Sequence, residues 1–96
     1  MKTDPTVSSL HVALGQRREI EFRLDGAPVT LRPHILYVDK SGVMRIAGPM
    51  GEIPVARIPI GKVTDLVVSP RHFEPDLGFD FGHPDYDNPV ASVADI

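Results

Sequence analysis

The hydrophobic pattern switches period once, early in the chain, and each period predicts an element. Val7, Leu10 and Leu14 recur at the three-to-four residue spacing of one helix face. Asp4 supplies an N-cap oxygen, Pro5 suits the first helical position, and Gly15 marks the expected end. A helix of about ten residues is marginal in water by itself, so this stripe is expected to dock on apolar surface. From Arg18 the period is two: Ile20, Phe22 and Leu24 alternate with Glu19, Glu21 and Arg23, the pattern of a strand with one wet face.

Asp25-Gly26 follows at once and suits a primed hairpin turn. That turn would pair Leu24 with Ala27, Phe22 with Val29 and Ile20 with Leu31, so that the apolar sets coincide across the ladder. The returning strand is expected to bend at Arg32-Pro33 and continue through Ile35 to Val38. Lys40-Ser41-Gly42 reads as a turn, residues 43–47 as a strand, and Gly48-Pro49-Met50-Gly51 as another turn. Residues 53–60 are expected to form a strand whose Pro54 and Pro59 push it towards a sheet edge or a bulge, and residues 62–68 the last strand before Ser69-Pro70. Near the end, Asn88-Pro89 repeats the cap-then-Pro signature and predicts a helical turn over residues 89–95, with Val90, Val93 and Ala94 facing inward.

Composition narrows the class. A chain of 96 residues holds one core, and 10 Pro with 8 Gly favour short strands over long helices. The absence of Cys removes disulfide frameworks, thiolate zinc sites and Cys nucleophiles, and makes a reducing compartment the default. No apolar run approaches the roughly 18 residues that span a bilayer, and no basic-then-apolar leader is present, so the expected location is cytoplasmic, with no membrane partner. Charge adds an asymmetry: residues 1–71 carry all 10 Lys and Arg against 7 acids, giving +3, whereas residues 72–96 carry 6 acids and no Lys or Arg. An acidic tail lying on a basic body would compete with phosphates for the same cations, or would simply be a solubilising segment.

From VTLRPHIL (Val29 to Leu36) onward, residues 18–76 resemble the WYL family. Pro33 and Leu36 fit the frame of its first motif, with His34 in the aromatic place. The Trp-Tyr-Leu tripeptide and its following Gly fall on Met44-Arg45-Ile46 and Gly48, and the Phe-Arg-Leu-Asp-Arg-Ile strand falls on residues 58–63. Phe73 and Pro75 match the Phe and Pro that often follow. The resemblance implies a small Sm-like five-stranded barrel that senses ligands or binds nucleic acid, used in bacteria mostly as the effector half of transcriptional regulators. The expected fold is therefore mainly β: residues 1–76 as a short helix plus barrel, and residues 77–96 as an acidic extension packed on it.

Candidate chemistry follows the cations. Arg32, His34, Arg45, Arg57 and Lys62 are the residues left to hold an anionic ligand, since guanidinium groups on adjacent strands grip phosphate in bidentate fashion; the same cations also suit an ordinary solvated surface. Tyr37 is the one barrel aromatic suited to stacking a base. His72, Glu74, His83, Asp85 and Asp87 have ligand-type groups two residues apart, but their spacing matches no zinc signature and no metal or other cofactor is expected. No nucleophile elbow and no Gly-rich phosphate loop is present, so the chain is expected not to be an enzyme. Two functions stay open: a regulatory module sensing an anionic ligand, either a nucleotide or single-stranded oligonucleotide, and a protein-interaction module that self-associates through the strand at 53–60. Phe73, Phe79 and Phe81 give the tail apolar anchors for lying along the body.

Overall fold

Helix α1 (Pro5–Gln16) forms because its apolar stripe has a surface to meet: Leu10, Ala13 and Leu14 are fully buried, and Val7 packs on the same core. A computed structural model describes residues 5–76, 78–86 and 88–93, which leaves the expected Asp4 cap outside the described residues. Gly15 does not end the helix. Arg17 takes the left-handed turn, with φ of 53°, and its carbonyl accepts the Phe73 N–H at 2.9 Å, a tertiary bond that places the exit two residues later.

Strands β1 (Arg18–Leu24) and β2 (Ala27–Leu31) pair in the expected register, Ile20 with Leu31, Phe22 with Val29 and Leu24 with Ala27. Asp25 and Gly26 both have positive φ, 52° and 83°, as a type I′ turn requires. The expected bend at Arg32-Pro33 is a change of sheet. Residues 32–34 cross to β3 (Ile35–Val38), and the Arg32 and His34 N–H groups donate to the Pro49 and Ala47 carbonyls on β4 (Met44–Met50). Gly48 lies inside β4 and not in a turn, because a Cβ there would overlap the Arg32 carbonyl oxygen. The turn falls instead at Gly51, with φ of 58°, and leads into β5 (Ile53–Pro59).

A 3₁₀ turn (Ile60–Lys62) precedes β6 (Thr64–His72), which pairs with β1 and runs past Ser69-Pro70. The expected final helical turn is a strand, β7 (Pro89–Ser92), paired with β3; Ala94 and Asp95 lie outside the described residues. Among the described residues the strands form two antiparallel sheets, ordered β2-β1-β6 and β5-β4-β3-β7, without closing into a barrel. The crossover ties the sheets at one corner, and β5 and β7 remain sheet ends.

The main core lies between the sheets and α1, where Ile20, Phe22 and Leu31 meet Leu36, Ile46, Ile58, Leu10, Leu14 and Val93. Strand β3 is apolar on both faces, so its Ile35 and Tyr37, with Ala47 beside them on β4, need cover on the outer side. Phe79 and Tyr86 of the C-terminal wrap (residues 73–93) supply it. Among the described residues no helix is long and apolar enough to cross a membrane.

Candidate functional site

The five expected site residues do not share one face. Arg32 stands at the sheet crossover, Arg45 and Arg57 project from β4 and β5 under the wrap, Lys62 is exposed on the 3₁₀ turn, and His34 is fully buried. The structure brings Arg45 to Arg57 and His34 to the backbone of Arg32, not all five to one place, and it adds a cation that sequence reasoning missed.

That cation is Arg71. Register places Glu19 on the middle strand of its sheet, with β2 leading to Arg32 on one side and β6 carrying Arg71 on the other. Arg32, Glu19 and Arg71 line a cleft of about 530 Å³, whose other walls are Val29, Thr30 and the backbone end of β4 at Pro49, Met50 and Gly51. Arg32 Nε lies 3.4 Å from Glu19 Oε2, and the Arg32 side chain is 57% exposed. The Glu19 side chain is only 13% exposed, but at 3.4 Å its contact with Arg32 is looser than the 2.7 Å Arg45–Asp39 bond, and the exposed guanidinium is the half of the pair that can turn to another acceptor. Arg71 is exposed and makes no ion pair among the described residues; its N–H donates to Ser69 Oγ at 3.1 Å, which fixes the backbone that carries it. Two guanidinium groups, a hydroxyl and an apolar wall of Val29 and Met50 offer a charged end and a dry side to one ligand.

The second basic hollow, about 300 Å³, is of another kind. Arg45 Nε donates to Asp39 Oδ2 at 2.7 Å, while Asp39 Oδ1 accepts the Ser41 and Val43 N–H groups at 2.9 and 3.0 Å. These bonds, the Arg45 one foremost, hold the Asp39 carboxyl below the usual carboxylate range. Arg57 lies 3.1 Å from Asp85 of the wrap, donates from Nε to the Tyr86 hydroxyl at 3.3 Å, and sits over the Tyr86 ring at 5.5 Å. The Tyr86 hydrogen bond raises the Arg57 pKa further. Both arginines are thus committed to holding the β3-β4 turn and the wrap. Tyr37, expected to stack a base, is buried beneath the wrap with its ring edge-on to Tyr86 at 4.7 Å, and burial pushes its hydroxyl pKa up.

His34 serves the interior. Its Nδ1–H donates to the Arg32 carbonyl at 2.9 Å and its Nε2 accepts the Asp76 N–H at 2.9 Å, a pattern that requires the neutral ring. The rings of Phe79, Phe73 and Phe81 lie 4.9, 5.3 and 6.2 Å from it, so the three expected anchors of the tail gather on one histidine. Both ring nitrogens being used, none is left for a ligand. Burial holds the imidazole pKa below its ordinary value.

Of the metal-type residues, His83 and Asp85 approach at 3.6 Å, but among the described residues no three His, Asp or Glu side chains converge; Asp87 lies outside them. No family model, no curated protein and no solved structure matches the chain.

Proposed function

We propose that this protein is a non-enzymatic binding module that holds a small anionic ligand in the cleft between Arg32 and Arg71. One observation carries the reading: two exposed arginines face one cleft with, among the described residues, a single loose carboxylate partner, Glu19, while Arg45 and Arg57, the other clustered arginines, each have a close carboxylate of their own. A ligand bearing a phosphate or carboxylate would take the guanidinium groups, and an attached flat ring would lie on Val29 and Met50. Nucleotides and oligonucleotide ends have that shape and charge, and the resemblance of residues 18–76 to the WYL family supports the same regulatory reading.

Calorimetric titration of the protein with nucleoside monophosphates and a short single-stranded oligonucleotide at low ionic strength tests it. Arg32→Gln and Arg71→Gln should each weaken binding by about ten- to hundred-fold, since a charge-assisted hydrogen bond contributes roughly 1.5 to 3 kcal/mol. Arg45→Gln should leave affinity unchanged. Equal affinity in all three variants would sink the proposal.

A second reading has its own observation. Strand β5 ends its sheet and exposes Ile53 at 47% and Val55 at 40%. Pairing of two copies along this edge would cover both side chains. Light scattering decides it: a mass that stays monomeric across the accessible concentration range rejects self-association.

A further inference from the structure

We propose that His34 is a proton-operated latch: protonating it frees the C-terminal wrap and, through the strand end that carries Arg71, loosens the cleft. This regulation rests on the cleft reading given above, whereas the latch itself rests on geometry alone.

His34 bridges the two chain segments that carry the cleft's arginines. Its Nδ1–H is bonded to the carbonyl of Arg32 itself, and its Nε2 to the N–H of Asp76. Only Phe73 and its neighbours separate Asp76 from Arg71 at the end of β6. Phe73 is held at both ends of its contact set, its ring against His34 at 5.3 Å and its N–H on the Arg17 carbonyl. The imidazole therefore sets how the wrap side sits relative to the crossover side.

Adding a proton at Nε2 turns the acceptor into a donor that faces another donor, the Asp76 N–H, so this bond cannot survive. The new charge lies in a fully buried position. The charged groups nearest to it are Arg32 on its own segment, which opposes the proton, and Asp76 of the wrap, which favours it. Strand β4 presents the Ala47 carbonyl, and Val93, just after β7, its N–H; both are engaged by the His34 backbone, and neither brings a charge. Arg17 and Glu74 line the adjoining hollow with Asp76, Phe79 and Phe81. Opening the wrap lets the imidazolium reach water. The Nδ1–H bond to Arg32 persists in both states, so the wrap is the part that leaves.

The sign of the coupling follows. A pKa depressed in the fold means that the unfolded or opened state binds the proton better, so the closed wrap is stable above the ordinary imidazole pKa of about 6.5 and is lost as pH falls through the depressed value. Simple charge arithmetic gives the opposite trend, because acid makes the protein more positive and should tighten anion binding.

The test uses the full chain, labelled with ¹⁵N, and sulfate as the probe, which stays a dianion across the range. Amide exchange of Asp76 and Phe73 is followed alongside that of Ile20 and Leu31 from about pH 7.5 to about pH 5, where histidine titrates. Sulfate affinity is measured at each end. As the His34 ring titrates, the Asp76 and Phe73 amides should lose protection while the Ile20 and Leu31 amides keep theirs. Sulfate should bind about three- to ten-fold more weakly at the acid end, because one of two arginines is no longer held in place. His83→Gln and His72→Gln should keep this response, and His34→Gln should abolish its pH dependence. An Asp76 amide that stays protected after His34 titrates, or sulfate binding that tightens steadily with acid, overturns the proposal even if His34→Gln fails to fold. No sulfate binding at the neutral end overturns the cleft reading and the regulatory half with it; the exchange data then decide the latch alone.

Discussion

The two basic hollows of this fold are built from the same side chain and differ in what surrounds it. Around Arg45 and Arg57 the protein supplies its own acceptors, Asp39 at 2.7 Å and Asp85 at 3.1 Å, with Tyr86 adding its hydroxyl and ring. Around Arg32 and Arg71 it supplies one carboxylate at 3.4 Å. Counting cations does not distinguish the two. What distinguishes them is whether each guanidinium already has a close carboxylate of its own, and on that measure the first hollow is a fastener and the second a receptor.

Gly48→Ala attacks the comparison at its root, because the cleft exists only while the Arg32 backbone seats against Gly48. A methyl group cannot fit against that carbonyl, and overpacking that shifts backbone costs roughly 1 to 3 kcal/mol, with this close a contact at the upper end. Urea denaturation should show this loss, while the β3-β4 turn keeps its Asp39 bonds. A loss below about 1 kcal/mol would mean that the crossover is not held by this contact.

Tyr86→Ala removes the cover from Tyr37 and the partner of Arg57 together, and large-to-small changes at buried aromatics cost about 3 to 5 kcal/mol. Tyr86→Phe keeps the packing and should cost only about 1 kcal/mol for the lost hydrogen bond. Anion affinity at the Arg32 cleft should not change with Tyr86→Phe. If it does, the two hollows are not independent.

Acid separates the fastener from the latch by pH. The Asp39 carboxyl is depressed, chiefly by Arg45, so its contribution is present above the ordinary carboxylate pKa of about 3.9 and is lost as pH falls through the folded value. Asp39→Asn should flatten stability against pH in that acid window and leave the window near neutrality untouched. The smallest effect on stability is expected of Arg32→Gln and Arg71→Gln, which should move it by less than about 1 kcal/mol while weakening binding about ten- to hundred-fold. A large stability loss from either would make the cleft a second fastener.

The parts legible in the sequence are those fixed by neighbours. Asp25-Gly26 determines its own hairpin, and the register read from Ile20, Phe22 and Leu24 is the one observed. The Pro54 and Pro59 signature placed β5 at a sheet edge for a local reason as well. What the pattern could not show is long-range. Gly48 resembles a turn residue but is selected for a backbone approach from sixteen residues earlier, at Arg32. Asn88-Pro89 looks like a helix start, yet the Asn88 carbonyl accepts the Val38 N–H at 3.0 Å and the segment joins β3. Arg71 acquires its place only through the pairing of β6 with β1, which no local pattern encodes. Of the five cations chosen from sequence, Arg32 alone lines the open cleft, because exposure and pairing are properties of the folded surface. The tail anchors Phe73, Phe79 and Phe81 were readable as apolar residues in an acidic segment; that they meet at His34 was not.

The central claim is that open arginines receive an anion and paired ones do not, and the guanidinium groups can be asked directly. In ¹⁵N-resolved spectra at neutral pH, sulfate titration should shift the Nε–H signals of Arg32 and Arg71 together with the amides of Thr30 and Gly51, along one saturable curve. The Nε–H signals of Arg45 and Arg57 should stay still, held by Asp39 and Tyr86. Shifts centred on Arg45 and Arg57, with Arg32 and Arg71 unmoved, would contradict the account.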